Sequence, residues 1–165
     1  MKTMLLLIPM ALVSAATNSD RPVDAQAAFE RLKTLAGEWE ADSTMGKAHL
    51  SYEVIAAGSA LVERETMGDM SPMMTIYHLD GKRLILTHYC IVGNQPRMEA
   101  RRFDPATGEL QFDFLDATNL ANPRAAHIHN GKIRFVDNNH FTGEWDFYEN
   151  GERKNTEKAQ YTRVR

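Results

Sequence analysis

The sequence predicts an all-β chain, an antiparallel up-and-down β-barrel of about ten strands with one short N-terminal helix. Three observations predict it. After Gly37 the chain breaks into short segments in which apolar and polar residues alternate. Turn-forming residues separate them: Asp80-Gly81, Asn130-Gly131, Asn150-Gly151 and the longer Pro105-Ala106-Thr107-Gly108. Helical spacing occurs in one stretch, before Gly37. Hairpins make neighbouring strands antiparallel, and a long run of them tends to close and remove its exposed edges. An open sandwich is the alternative that the same pattern allows.

The N-terminus has the order of a secretory signal peptide over residues 1–16. Met1-Lys2-Thr3 is positively charged, Met4 to Val13 is apolar, and Ser14-Ala15-Ala16 supplies small residues for cleavage after Ala15 or Ala16. The apolar run is about ten residues, against the roughly twenty that span a bilayer, so no membrane span is expected. Pro9 in its middle argues against a buried helix. An exported protein, periplasmic or extracellular, is the expectation. Cleavage after Ala16 would leave 149 of the 165 residues. That length suits a single domain, 25–165, behind a polar linker, 17–24, that contains Pro22. The cleaved chain would carry 18 basic and 22 acidic side chains with no basic stripe, which argues against nucleic acid as a partner. A single cysteine, Cys90, can form no internal disulfide.

Asp24 is placed to cap a helix in which Phe29, Leu32, Leu35 and Ala36 share a face, and Gly37 is its natural stop. Strands are predicted over 39–43, 48–56, 60–67, 73–79 and 83–91, with Ala57-Gly58-Ser59 turning the chain between the second and third. Further strands are predicted over 97–103, 109–116, 125–129, 132–136, 140–149 and 153–164, the middle pair as a hairpin about Asn130-Gly131.

Gly37-Glu38-Trp39, following a short helix and opening the first strand, resembles the Gly-x-Trp signature of lipocalins and related calycins. The resemblance implies a barrel whose Trp39 plugs one end, with a basic residue of the last strand, Arg163 or Arg165, lying over the ring. A wider resemblance runs through His88-Tyr89-Cys90, Gly93-Asn94-Gln95-Pro96-Arg97-Met98, Asp116-Ala117-Thr118-Asn119, His127-Ile128-His129, and His140-Phe141 to Glu144-Trp145. These segments look like an uncharacterised family of exported bacterial lipocalin-like domains, which brings no activity with it. Distant similarity to nitrobindin-type barrels, which bind haem through a His, makes haem a candidate cofactor without matching any particular His.

Side chains two apart on a strand share a face, so His88 and Cys90 point together, as do His127 and His129. If both pairs face inward, four ligands suited to zinc, copper or iron converge. Leu84 and Leu86 share the face of His88 and Cys90, which favours an inward setting for that pair. His140 and Glu144 are further pocket candidates, although Phe141, Trp145 and Phe147 hold the opposite face of their strand. The plainer alternative makes the histidines hydrogen-bonded or solvated groups and Cys90 a small core residue. Gln95, Arg97, Asn119 and Arg124 are placed to orient a polar or anionic group at a barrel mouth. Met67, Met70, Met73 and Met74 offer adaptable thioethers that fill a loop, line an apolar site or bind Cu(I).

No nucleophile elbow, P-loop or His-Glu-x-x-His motif is present, and Ile133 and Arg134 stand where a cupin motif beginning at His127 needs its Glu. The expected function is binding of a small molecule: an apolar compound, haem or a transition metal. The alternative is a metal-dependent or acid–base enzyme, which requires His88, His127 and His129, with Glu144 as an optional fourth member, to lie within a few ångströms of one another.

Overall fold

The computed structural model describes residues 23–43 and 46–164. The predicted signal peptide, most of the linker and Arg165 lie outside them. One helix, α1 (Ala25–Lys33), leads into ten strands: β1 (Gly37–Ser43), β2 (Gly46–Ile55), β3 (Ala60–Met67), β4 (Met73–Asp80), β5 (Arg83–Tyr89), β6 (Gln95–Asp104), β7 (Glu109–Thr118), β8 (His127–Phe135), β9 (His140–Glu149) and β10 (Glu152–Arg163). Each pairs antiparallel with the next, and β1 pairs with β10 at Trp39↔Arg163 and Glu40↔Thr162 to close the barrel. The sandwich is thereby excluded.

The Asp24 side chain caps α1, accepting from the backbone N–H of Ala27 at 2.9 Å. Ala25, Ala28, Phe29 and Leu32 are buried and belong to the same core cluster as the barrel interior. An up-and-down chain alternates its loops between two ends. The β2–β3, β4–β5, β6–β7 and β8–β9 connections lie at the α1 end, and the other five lie at the opposite end.

At the α1 end Trp39 is 1% exposed, donates from Nε1 to the carbonyl of Leu35 at 2.7 Å, and meets Phe141 edge-on at 4.8 Å. The Arg163 guanidinium lies 4.1 Å from the Trp39 ring centroid and donates to the carbonyls of Thr34, Ala36 and Asn138. The contact between the two ends of the domain expected from Gly-x-Trp is therefore present, and Arg163 makes it.

One predicted hairpin is absent. Asn150-Gly151 does turn the chain, with φ of 58° and 78°, but Asn130-Gly131 lies inside β8, which runs unbroken from His127 to Phe135. The predicted strands 125–129 and 132–136 are one strand. Gly131 is there because it has no side chain: a Cβ at this position would sit 2.0 Å from Cζ3 of Trp145, its partner on β9. Gly131→Ala is therefore expected to push the Trp145 ring aside and cost about 1–3 kcal/mol, read from urea unfolding. A loss below about 0.5 kcal/mol would mean that the ring yields freely.

Candidate ligand-binding site

Opposite the α1 end the barrel holds a cavity of about 290 Å³. Its wall combines the apolar side chains of Met67, Met70, Met73, Ile128, Trp145 and Phe147 with Glu63, Glu65, Glu157, Thr75, His88, Cys90 and Asn155. Ile91 and Val92, each about half exposed, belong to the same wall on the β5–β6 loop.

Strand parity places the polar groups. On β3, Leu61, Glu63, Glu65 and Met67 share one face, and Leu61 and Met67 are buried. Cross-strand register then sets Tyr52, Glu63, Thr75 and His88 side by side on β2, β3, β4 and β5, through Tyr52↔Glu63, Glu63↔Thr75 and Thr75↔His88. A second row carries Leu50, Glu65 and Met73.

Glu63 is buried and accepts a hydrogen bond from Tyr77 Oη at 2.6 Å. Burial raises its pKa, and hydrogen bonds from Tyr77 and Tyr52 draw it partway back. Burial, reinforced by the neighbouring carboxyls of Glu63 and Glu157, pushes Glu65 up to about 8. His88 is lowered to about 4 by burial, with its Nδ1 3.0 Å from Thr75 Oγ1. It is a neutral imidazole at neutral pH. Burial also raises the Cys90 thiol, so its sulfur is neither an activated nucleophile nor a ready thiolate ligand.

The four residues predicted as a metal set separate into two pairs. His88 and Cys90 line the cavity, but His127 and His129 do not; Ile128, between them, does. Alternation sets His127 opposite Ile128, and a bulge between Ile128 and Asn130 keeps His129 on the side of His127. His127 Nδ1 lies 2.7 Å from the carbonyl of Ala125, which can only accept, so that nitrogen donates. His127 Nε2 then accepts from His129 Nδ1 at 2.9 Å. The His129 ring stacks between Phe114, at 4.8 Å, and Tyr148, at 4.2 Å. Its pKa is lowered by burial and by the adjacent His127. Among the described residues no group of three or more His, Cys, Asp or Glu side chains is arranged to hold a metal ion.

The other candidates also lie off the cavity. His140 is at the α1 end, paired with Asp137 at 2.9 Å. Glu144 sits between Lys132 and Lys158, at 3.1 and 3.0 Å, on the face of β9 opposite Trp145. The convergence of His88, His127 and His129 needed for the enzymatic alternative, with or without Glu144, is therefore not made. Arg97 is exposed and ion-paired in a fork with Asp116 across β6 and β7. Arg124 donates to the carbonyl of Asn150.

Gln95 and Asn119 have a structural part at the mouth. Gln95 accepts from Thr118 Oγ1, Asn119 donates to the carbonyl of Gly93, and Asn94 donates to the carbonyl of Ala126. Together they lace the β5–β6 loop to the β7–β8 loop. Of the methionines, Met67, Met70 and Met73 line the cavity and Met74 does not.

Glu63, Glu65, Glu157, Thr75 and Asn155 were not among the predicted site residues. A usable signal was present: two glutamates fall at the same parity as Leu61 and Met67 in Leu61-x-Glu63-x-Glu65-x-Met67.

Fold and site together define a closed ten-stranded antiparallel barrel with a partly acidic interior cavity. Among solved structures of similar fold are two proteins. One is a protein of unknown function from the DUF3598 family of Nostoc punctiforme PCC 73102, with a TM-score of 0.56 and 15% identity over 91% of this chain. This chain spans about half that protein's length, covering 53% of it. The other is Rv2717c from M. tuberculosis, with a TM-score of 0.56 and 15% identity over 88% of this chain and 100% of that protein. At this identity the likeness shows the fold alone. No protein-family model matches the chain, and no curated protein matches it in sequence.

Proposed function

We propose that this protein is an exported, lipocalin-like carrier that takes a small, mainly apolar ligand into the cavity opposite α1. The observation that carries this reading is the cavity itself: about 290 Å³ of space walled by methionine, isoleucine and aromatic side chains, with a few polar groups among them. Such a composition is that of small-molecule sites in barrels. At the ~30 Å³ that one water occupies in the liquid, the space suits a ligand of roughly ten heavy atoms. The signal-peptide order of residues 1–16 supports export. Membrane crossing by a helix has no support, since no described helix is long and apolar enough.

Haem fits this lining poorly. Among the described residues three carboxyls and no Lys or Arg line the cavity, whereas haem brings two propionates of its own.

Calorimetric titration with 1-octanol tests the proposal. The wild-type chain is expected to bind one molecule saturably, with the negative heat-capacity change of apolar burial. Met73→Trp, which fills the cavity, is expected to weaken binding at least tenfold while the chain still melts cooperatively. Equal binding by wild type and Met73→Trp would place the alcohol elsewhere and refute the proposal.

A further inference from the structure

We propose that the ligand of this cavity is a hydrophobic amine, bound as its ammonium ion against Glu65 and Glu157 with its hydrocarbon part among Met67, Met73, Trp145 and Phe147. This deepens the binding reading above and rests on it.

The argument begins with the charges. Glu63, Glu65 and Glu157 all reach the cavity wall, and among the described residues no Lys or Arg does. His88, lowered to about 4, supplies no charge at neutral pH. The three carboxyls are not equivalent. Glu63 is tied down by Tyr77, and by Tyr52, whereas Glu65 has carboxyls, those of Glu63 and Glu157, as its main electrostatic neighbours. A carboxyl facing other carboxyls inside an apolar chamber favours a cation over an anion as guest, because a cation relieves both repulsion and desolvation.

The rest of the wall fits the same guest. Trp145 and Phe147 present aromatic surfaces, which attract ammonium and pack hydrocarbon equally well. Thioethers of Met67, Met70 and Met73 adapt to a flexible chain. A carboxylate guest would instead bring a further carboxyl to a wall on which, among the described residues, no Lys or Arg stands.

Proton accounting follows. Before the amine enters, Glu65 holds its proton over much of the neutral range. The groups that face it are Glu63, Glu157 and the phenol of Tyr161, whose pKa is itself raised by burial and by these carboxyls, with the Cys90 thiol nearby. When an ammonium ion docks, Glu65 loses its proton to solvent and forms the ion pair. Amine binding therefore releases up to one proton, whereas a neutral alcohol of the same length releases none.

The test compares three probes of equal chain length at pH 7: octylamine, 1-octanol and octanoate, titrated calorimetrically into the full chain in buffers of different ionisation heat. The expected order is octylamine at least tenfold tighter than 1-octanol, and octanoate weaker than both, with buffer-dependent heat for the amine alone. Glu65→Gln is expected to shrink the octylamine-to-octanol preference about tenfold, and Glu157→Gln gives a second reading should the first variant fold poorly. Octylamine and 1-octanol binding equally, or octanoate binding tightest, would overturn the amine assignment and leave the cavity reading standing. Saturable binding by none of the three would overturn both.

Discussion

Trp39→Ala is expected to destabilise the domain by about 3–5 kcal/mol, the range for removing a fully buried large aromatic. That is a large share of the 5–15 kcal/mol that holds a typical domain together. The loss has three parts. The edge-on contact with Phe141 goes, the carbonyl of Leu35 loses its indole donor, and Arg163 loses the ring beneath its guanidinium. Arg163 also ties the α1–β1 connection to the end of β10 through Thr34 and Ala36, so damage should spread to the β1–β10 seam that closes the sheet. Urea unfolding measures the cost. A double-mutant cycle with Arg163→Ala is expected to give a coupling of about 0.5–2 kcal/mol between the two side chains. Additive losses would mean that the stacked geometry contributes nothing of its own.

The second large effect concerns pH. Glu65 moves from its ordinary 4.5 to about 8 on folding, so the folded chain binds that proton more tightly. Its contribution to stability is complete below 4.5 and is lost as pH rises through about 8. Glu63 acts in the same direction. His88 acts in the opposite one: its folded value, about 4, lies below the ordinary 6.5, so its contribution is complete above 6.5 and lost as pH falls through 4. From 4.5 to 6.5 His88 offsets Glu65 and leaves the downward slope that Glu63 adds, and above 6.5 the carboxyls dominate. Stability is therefore expected to change less across the lower window and then to fall by about 1–2 kcal/mol between pH 6.5 and 8, below the limiting slope of about 1.4 kcal/mol per unit because Glu65 is half deprotonated at 8. Glu65→Gln should remove most of that fall, as urea midpoints at the two pH values would report. An undiminished fall in Glu65→Gln would place the titrating group elsewhere.

The fold was legible because its signals are local. Alternation, Asn150-Gly151 and the helix capped by Asp24 each act within a few residues, and Gly37-Glu38-Trp39 announces the closing contact with Arg163. Asn130-Gly131 misled for a physical reason. Its glycine answers to a ring on the neighbouring strand, and that neighbour is fixed only by the completed sheet. Unbroken alternation along β8 would put His127 and His129 on the buried face of Ile133 and Phe135, and the bulge between Ile128 and Asn130 that turns them to the other side has no mark in the sequence.

The candidate site was half legible. The apolar face running Leu84, Leu86, His88, Cys90 led into the cavity as its parity implied. Histidine and cysteine are the usual ligands and carried the expectation of a site, whereas Glu63 and Glu65, at the parity of Leu61 and Met67, entered no expectation. Only closure of the barrel brings Glu63 and Glu65 on β3 near Glu157 on β10, more than ninety residues later in the chain. Arg97 shows the reverse: it looked like an anion clamp, but Asp116 across the strand already holds it.

Methionine-methyl NMR tests the central claim, that a small ligand enters this cavity, most directly. Met67, Met70 and Met73 line the cavity, whereas Met98 is fully buried in the core away from it and Met74 sits on the other face of β4. On titration with 1-octanol, the methyl signals of Met67, Met70 and Met73 should shift together and saturate, with those of Met98 and Met74 left in place. Shifts confined to Met74, or no saturable shift at any methyl, would contradict the account.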